Sequence, residues 1–195
     1  MSGMTFADIQ RVDVVRAWSA FVRGKSRRDE VQRFAFDLEA NLERLYQELT
    51  TQTYRHGPYY TFVRCDPKRR VIAVPSVRDQ IVHHLLVRAI GPICERQFHP
   101  HSYASRPGRG VLASVETVHR WIHHTSDGGR QRCFALRMDI ASYFASVDHV
   151  ALMRLLMRHV SDPWRWLAAE ILQSYGEDHD GRRCGIPLGN LTSQL

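Results

Sequence analysis

The stretch Arg137-Met-Asp-Ile-Ala-Ser-Tyr-Phe-Ala-Ser-Val-Asp-His149 places a carboxylate inside an apolar run and follows it with two aromatics. The preceding residues, from Cys133, alternate as a strand does, so Asp139 falls on the side of Ala135 and Arg137, opposite Phe134, Leu136 and Met138. Ser142, Tyr143 and Phe144 come next, then a second acid at Asp148. An unpaired buried carboxylate is costly, so Asp139 is either a locally satisfied cap or a charge the fold presents to a cation. The residues of this stretch leave both readings open.

Outward from it, the chain reads as helices interrupted by a few strands. Ile9 to Phe21 carries an apolar helical face, and the basic run Arg23–Glu30 reads as a loop. Phe34, Leu38, Leu42, Leu45 and Leu49 recur at three- and four-residue steps, predicting one long amphipathic helix. Gly57-Pro58 is a turn leading into a strand, Asp66-Pro67 a second turn, and Val71–Val74 a short buried strand closed by Pro75. Ser76 with Asp79 three residues on is an N-cap signal for a helix through Ile90, with Gly91-Pro92 as a kink. Val111 to Ile122 gives another helical stripe, and Ser126–Arg130 a turn. Asp148 stands as the N-cap of the helix that follows it, and Asp162-Pro163 repeats the signal. Gly176–Gly185 reads as a polar connection.

A chain of 195 residues with 44% hydrophobic and 24% charged content can bury one good core. No apolar run is long enough to span a bilayer, and the first ten residues lack signal-peptide character, which predicts the cytoplasm. The formal charge of +7 rests on arginine, since Lys25 and Lys68 are the only lysines, and arginine forks suit phosphate. A genome-wide preference for arginine would give the same count. Cys65, Cys94, Cys133 and Cys184 contain no Cys-x-x-Cys pair and read as four reduced thiols. His119 and His123 lie one helical turn apart with no third ligand at metal spacing, and read as ordinary histidines on a packing helix.

Four segments taken together resemble the motifs of reverse transcriptases. Val71–Phe98 is similar to the first fingers motif, His101–Gly110 to the second, Arg137–His149 to the palm motif, and Gly185–Gln194 to the fourth. They occur in order and cover Arg64 to Gln194. Pro187-Leu-Gly-Asn-Leu-Thr-Ser-Gln194 resembles the diversity-generating retroelement type; intron and retron relatives usually carry Gln-Gly and Ser-Pro there.

This resemblance implies an α+β fold, the right-hand polymerase architecture with fingers and palm, truncated before the catalytic hairpin and thumb. Residues 1–130 would form N-terminal helices and fingers, and 131–195 a partial antiparallel palm sheet. It implies two-metal nucleotidyl transfer of dNTPs onto a primer, with two Mg²⁺ (or Mn²⁺) ions about 3.5–4 Å apart. Asp139 matches the metal-binding carboxylate, and the Ile140 carbonyl its neighbour at the second ion. Arg64 and Arg70 match the residues that grip the triphosphate, and Phe144 the aromatic under the deoxyribose. Leu188 and Gly189 match the nucleotide-contacting pair. Many relatives have Gln at the position of Leu188, and an aliphatic residue there goes with misincorporation opposite adenine. Arg106 and Arg109 either contact template backbone or hold their loop. The implied partners are an RNA template, a DNA primer and an accessory protein, with no membrane.

The family also requires two adjacent acids in a Tyr-x-Asp-Asp hairpin after the fourth motif, which these 195 residues do not contain. The isolated chain is therefore expected to be inactive, with an exposed sheet edge that promotes self-association. The alternatives are a non-catalytic module that binds RNA or primer–template, and an inert remnant of a decayed retroelement gene.

Overall fold

The computed structural model describes residues 9–65 and 68–194. Helix α1 (Arg11–Val22) buries Val14, Ala17, Trp18 and Phe21, and its first turn is closed by the Gln10 amide donating to the Asp13 carboxylate at 3.1 Å. The expected long amphipathic helix is two helices, α2 (Asp29–Phe36) and α3 (Leu38–Thr50). The break falls at Asp37, whose φ of −123° and ψ of 52° leave the helical region. Asn41 Nδ2 bridges it by donating to the Phe34 carbonyl at 3.0 Å.

Strands β1 (Tyr60–Cys65) and β2 (Arg69–Val74) form an antiparallel ribbon. The expectation of a buried strand over Val71–Val74 is corrected: only Ala73 is buried and Val71 is exposed, because a two-stranded ribbon covers neither face fully. The expected Asp66-Pro67 turn lies outside the described residues. Helix α4 (Val77–Gln97) begins at Ser76, whose Oγ accepts from the Asp79 amide, and continues through Pro92. Helix α5 (Val111–Thr125) follows, then the one-turn α6 (Tyr143–Ser146), α7 (His149–Met157) and α8 (Asp162–Gln173). Asp148 Oδ1 caps α7 by accepting from the Ala151 amide at 2.9 Å. The N-cap of α8 is Ser161, one residue earlier than the sequence suggests.

Two further corrections concern strands. The alternating stretch from Cys133 to Ile140 forms no strand among the described residues; Phe134 is 94% exposed and Met138 81%. A strand exists only through its ladder, and these residues have no partner strand among those described. Conversely, the expected polar connection contains a hairpin, β3 (Glu177–His179) and β4 (Arg182–Cys184). Asp180 and Gly181 turn it with φ of 50° and 77°, the left-handed pair that a two-residue hairpin loop requires.

The core gathers α1, α3, α4 and α8. Leu45, Leu49, Ile81, Val82, Leu85, Trp164, Leu167 and Ile171 belong to one cluster, so residues on both sides of position 130 share it. Within it sits a buried polar network. Tyr54 Oη donates to Asp79 Oδ1 at 2.7 Å, while Ser76 Oγ at 2.7 Å and the Gly57 amide at 3.2 Å serve Asp79 Oδ2. Arg78 reaches Asp79 at 3.3 Å and pairs with Glu48. Among the described residues no helix is long and apolar enough to cross a membrane.

Candidate functional site

Register places two arginines together. Arg64 on β1 stands directly opposite Arg70 on β2, so both project from the same face of the ribbon. Like charges directly opposite each other weaken a strand pair, and both residues are exposed. An anion held between two guanidinium forks gains charge-assisted hydrogen bonds.

The residues after Asp139 turn sharply. Ser142 takes a left-handed φ of 52° and its carbonyl accepts from the amides of Ala145 and Ser146, both at 3.0 Å, which starts α6. This turn presents Tyr143 and Phe144, whose rings meet edge-on at 5.5 Å. The Gly185–Gln194 loop is stitched to the same turn. The Ile186 amide donates to the Phe144 carbonyl at 2.7 Å and the Gly185 amide to the Val147 carbonyl at 2.9 Å. Buried His149 closes the joint through Nε2, 2.7 Å from the Gly185 carbonyl. A bare oxygen acceptor fixes the proton on Nε2.

The result is an open cavity of about 570 Å³ whose walls include Val71, Tyr143, Phe144, Tyr175, Ile186 and Leu188. Phe144 and Leu188, assigned by resemblance to sugar and base, thus share one cavity. Of the ribbon only Val71 lines it; Arg64 and Arg70 do not, and Arg70, next to Val71 in the strand, alternates to the other face. Gly189 has φ 98°, and a Cβ there would lie 3.2 Å from Ile72 Cγ2, so the loop crosses the ribbon closely only because it has no side chain at this point. Burial pushes the neighbouring Tyr59 hydroxyl up to about 12, and it remains a neutral partner of Ser174 Oγ at 3.1 Å.

Asp139 and Ile140 are exposed and do not line the cavity. Among the described residues there is no group of three or more His, Cys, Asp or Glu side chains that could hold a metal. One carboxylate does not satisfy the oxygen-rich coordination of two Mg²⁺ ions, so these residues do not fit a complete two-metal site. Of the two readings left open for Arg106, the structure supports loop-holding. Its guanidinium pairs with Glu95 at 2.6 Å and donates to the carbonyls of His99 and Ser102. Arg109 donates to the Pro100 carbonyl at 2.9 Å while remaining exposed.

Sequence reasoning missed a second polar constellation behind the fourth segment. Thr192 Oγ1 lies 3.1 Å from His83 Nδ1, His83 Nε2 lies 3.0 Å from His56 Nε2, and His56 Nδ1 lies 2.6 Å from the Gly57 carbonyl. The carbonyl can only accept, so His56 donates from Nδ1 and accepts at Nε2, and His83 donates from Nε2 and accepts at Nδ1. Burial pushes His83 down to about 3, with His56 adding to the shift, which agrees with this neutral chain. The available signal was a histidine one turn beyond Asp79 on an otherwise apolar helix face.

No protein-family model matches the chain. Protein YkfC of Escherichia coli (strain K12) is 32% identical over 127 residues, covering 64% of this chain and 33% of YkfC. The chain therefore spans about a third of the length of the curated relative it matches.

Proposed function

We propose that this chain forms the nucleotide-facing part of a reverse transcriptase, an RNA-directed DNA polymerase of right-hand architecture that extends a DNA primer on an RNA template. The observation that carries the proposal is that Phe144 and Leu188, two residues from separate motifs, line one cavity that Val71 of the ribbon also borders. The four ordered motifs support the same reading. In it, Arg64 and Arg70 take the triphosphate and offset its negative charge as the leaving group departs. Phe144 packs under the sugar and leaves no room for a 2′-hydroxyl. Leu188 borders the base, and Gly189 lets the backbone approach. Asp139 contributes one carboxylate toward Mg²⁺, and the remaining ligands come from outside the described residues. An accessory protein belongs to the proposal, as does a cytoplasmic setting, which suits the four free cysteines.

The test is primer extension by the full-length protein on an RNA template with Mg²⁺ and dNTPs. Template-dependent incorporation that Arg70→Gln and Asp139→Asn reduce supports the proposal. Salt-sensitive binding of RNA–DNA duplex without any incorporation would transfer the chain to the non-catalytic binding module. Neither incorporation nor binding at low salt would leave the inert remnant.

A further inference from the structure

A second cavity borders the fourth segment on its α4 side, with Gly189, next to Leu188, in its lining. It measures about 270 Å³ and is lined by Lys25 from the α1–α2 loop, Gln80, His83 and His84 from α4, and Asn190 and Gln194 from the last loop. Three separate parts of the chain thus converge on it, and among the described residues no acidic side chain lines it. At about 30 Å³ per water, it has room for a tetrahedral oxyanion with part of its hydration.

The polar groups are mismatched in one direction. Asn190 is buried, and its Nδ2 donor has no hydrogen-bond partner among the described residues. A buried amide donor left unmade costs stability that an acceptor would restore. Lys25 Nζ is held 4.4 Å over the Phe21 ring, and the same ring meets His84 edge-on at 6.0 Å. The ammonium and the imidazole thus share the Phe21 ring as a neighbour. The cavity offers donors and positive charge and lacks an acceptor that carries negative charge.

We propose that this cavity is a phosphate-group site, in which Lys25 supplies the charge, and Asn190 and His84 supply hydrogen bonds. The proposal does not rest on polymerase activity. Two physical facts agree with it. Burial lowers Lys25 from its ordinary value and nearby Arg28 lowers it further, while burial and then Lys25 push His84 down to about 4. Burial is the larger cause for both groups, and the neighbouring cation adds to it in each case. Phosphate groups reach such a site from two sources, the backbone of a bound strand or a free small phosphate.

The experiment titrates the full-length protein with inorganic phosphate, and separately with a short single-stranded oligonucleotide, following the His84 ring by NMR. Saturable perturbation of His84 is expected, with its titration midpoint moving up when the ligand is bound. Lys25→Ala should weaken binding by about tenfold or more, in line with loss of one charge-assisted contact. Asn190→Ala should weaken it while leaving the unfolding midpoint unchanged or raised, since the orphaned donor is gone. An oligonucleotide that displaces inorganic phosphate assigns the site to a strand; one that leaves phosphate in place assigns it to a free phosphate group. The proposal is overturned if neither ligand perturbs His84, or if a folded Lys25→Ala/Asn190→Ala protein binds undiminished. Phosphate binding here in a protein that copies no RNA would refute the polymerase reading alone.

Discussion

Arg64 and Arg70 face each other directly across the β1–β2 ribbon, two like charges at the position where a strand pair is most sensitive to them. Arg70→Gln leaves one charge where two like charges face each other, so the unfolding midpoint should stay level or rise. On the proposed function the same change should raise the KM for dNTPs by about tenfold, the worth of one charge-assisted contact. Thermal unfolding and primer-extension kinetics on one preparation check both halves. A lowered midpoint with unchanged KM would make the pair structural.

Tyr54 is fully buried, and its hydroxyl is one of the donors that satisfy Asp79. Burial and the carboxylate together raise the Tyr54 hydroxyl far above its ordinary range, so it acts as a donor throughout the accessible pH range. Tyr54→Phe should cost about 1–3 kcal/mol by leaving a carboxylate oxygen short of a donor inside the core. Urea denaturation measures it. No loss would mean that Arg78, 3.3 Å from the same oxygen, compensates fully.

The His83 chain carries a pH signature. Its folded value is pushed down to about 3, while the unfolded chain takes up that proton near about 6.5. Below the unfolded value the unfolded state binds a proton that the native state refuses. Stability is therefore complete above about pH 6.5 and is lost progressively as pH falls toward 3. His84, pushed down to about 4, adds in the same direction. Urea midpoints from pH 7 to pH 4 should fall, and His83→Gln should flatten the slope regardless of its own effect on stability. An unchanged slope would show that His83 is charged in the folded protein.

Much of the apolar side of α5 and of the extended stretch after it is exposed, although Trp121 meets the His101 ring edge-on at 4.7 Å. Val111 is 81% exposed, Phe134 94% and Leu136 82%. An apolar surface of this extent favours association. The isolated 195-residue chain should show a mass that rises with concentration in light scattering, and Leu112→Glu with Phe134→Ser should shift it toward monomer. A wild-type monomer at all concentrations would rule this out.

What could be read from the residues depended on how local the determining contact is. The caps at Ser76 and Asp148 are hydrogen bonds closed within three residues, and both form where the spacing predicts. Helical stripes were legible as helices, but for α5 the stripe said nothing about what would cover it. The alternation from Cys133 to Ile140 was a true strand pattern without a ladder, because pairing is supplied from elsewhere in a chain. The β3–β4 hairpin has its turn signal in Asp180-Gly181, but its flanks are charged rather than apolar and carry no strand pattern. At the candidate site, the opposition of Arg64 and Arg70 follows from register, which no single strand reveals. The Tyr54–Asp79 and His83–Thr192 contacts join residues 25 and 109 positions apart, and no periodicity encodes them.

Leu188 offers the sharpest separation between shape and chemistry at the cavity. It lines the space beside Phe144 with an aliphatic side chain, where many reverse transcriptases are expected to carry Gln. An aliphatic wall contributes contact area that all four bases share, whereas an amide adds a directional hydrogen bond that only a correctly placed nucleotide satisfies. Discrimination built on such a bond is larger than discrimination built on apolar fit, because the wrong substrate leaves a polar group unpaired. Leu188→Gln keeps a similar side-chain length, so the backbone at Gly189 and its approach to Ile72 should persist. On the proposed function the variant should lower misincorporation opposite adenine by about tenfold, with kcat changed less than the error rate. Sequencing of the cDNA made on a template of known sequence provides the measurement. An error spectrum identical to wild type would place the base beyond the reach of residue 188.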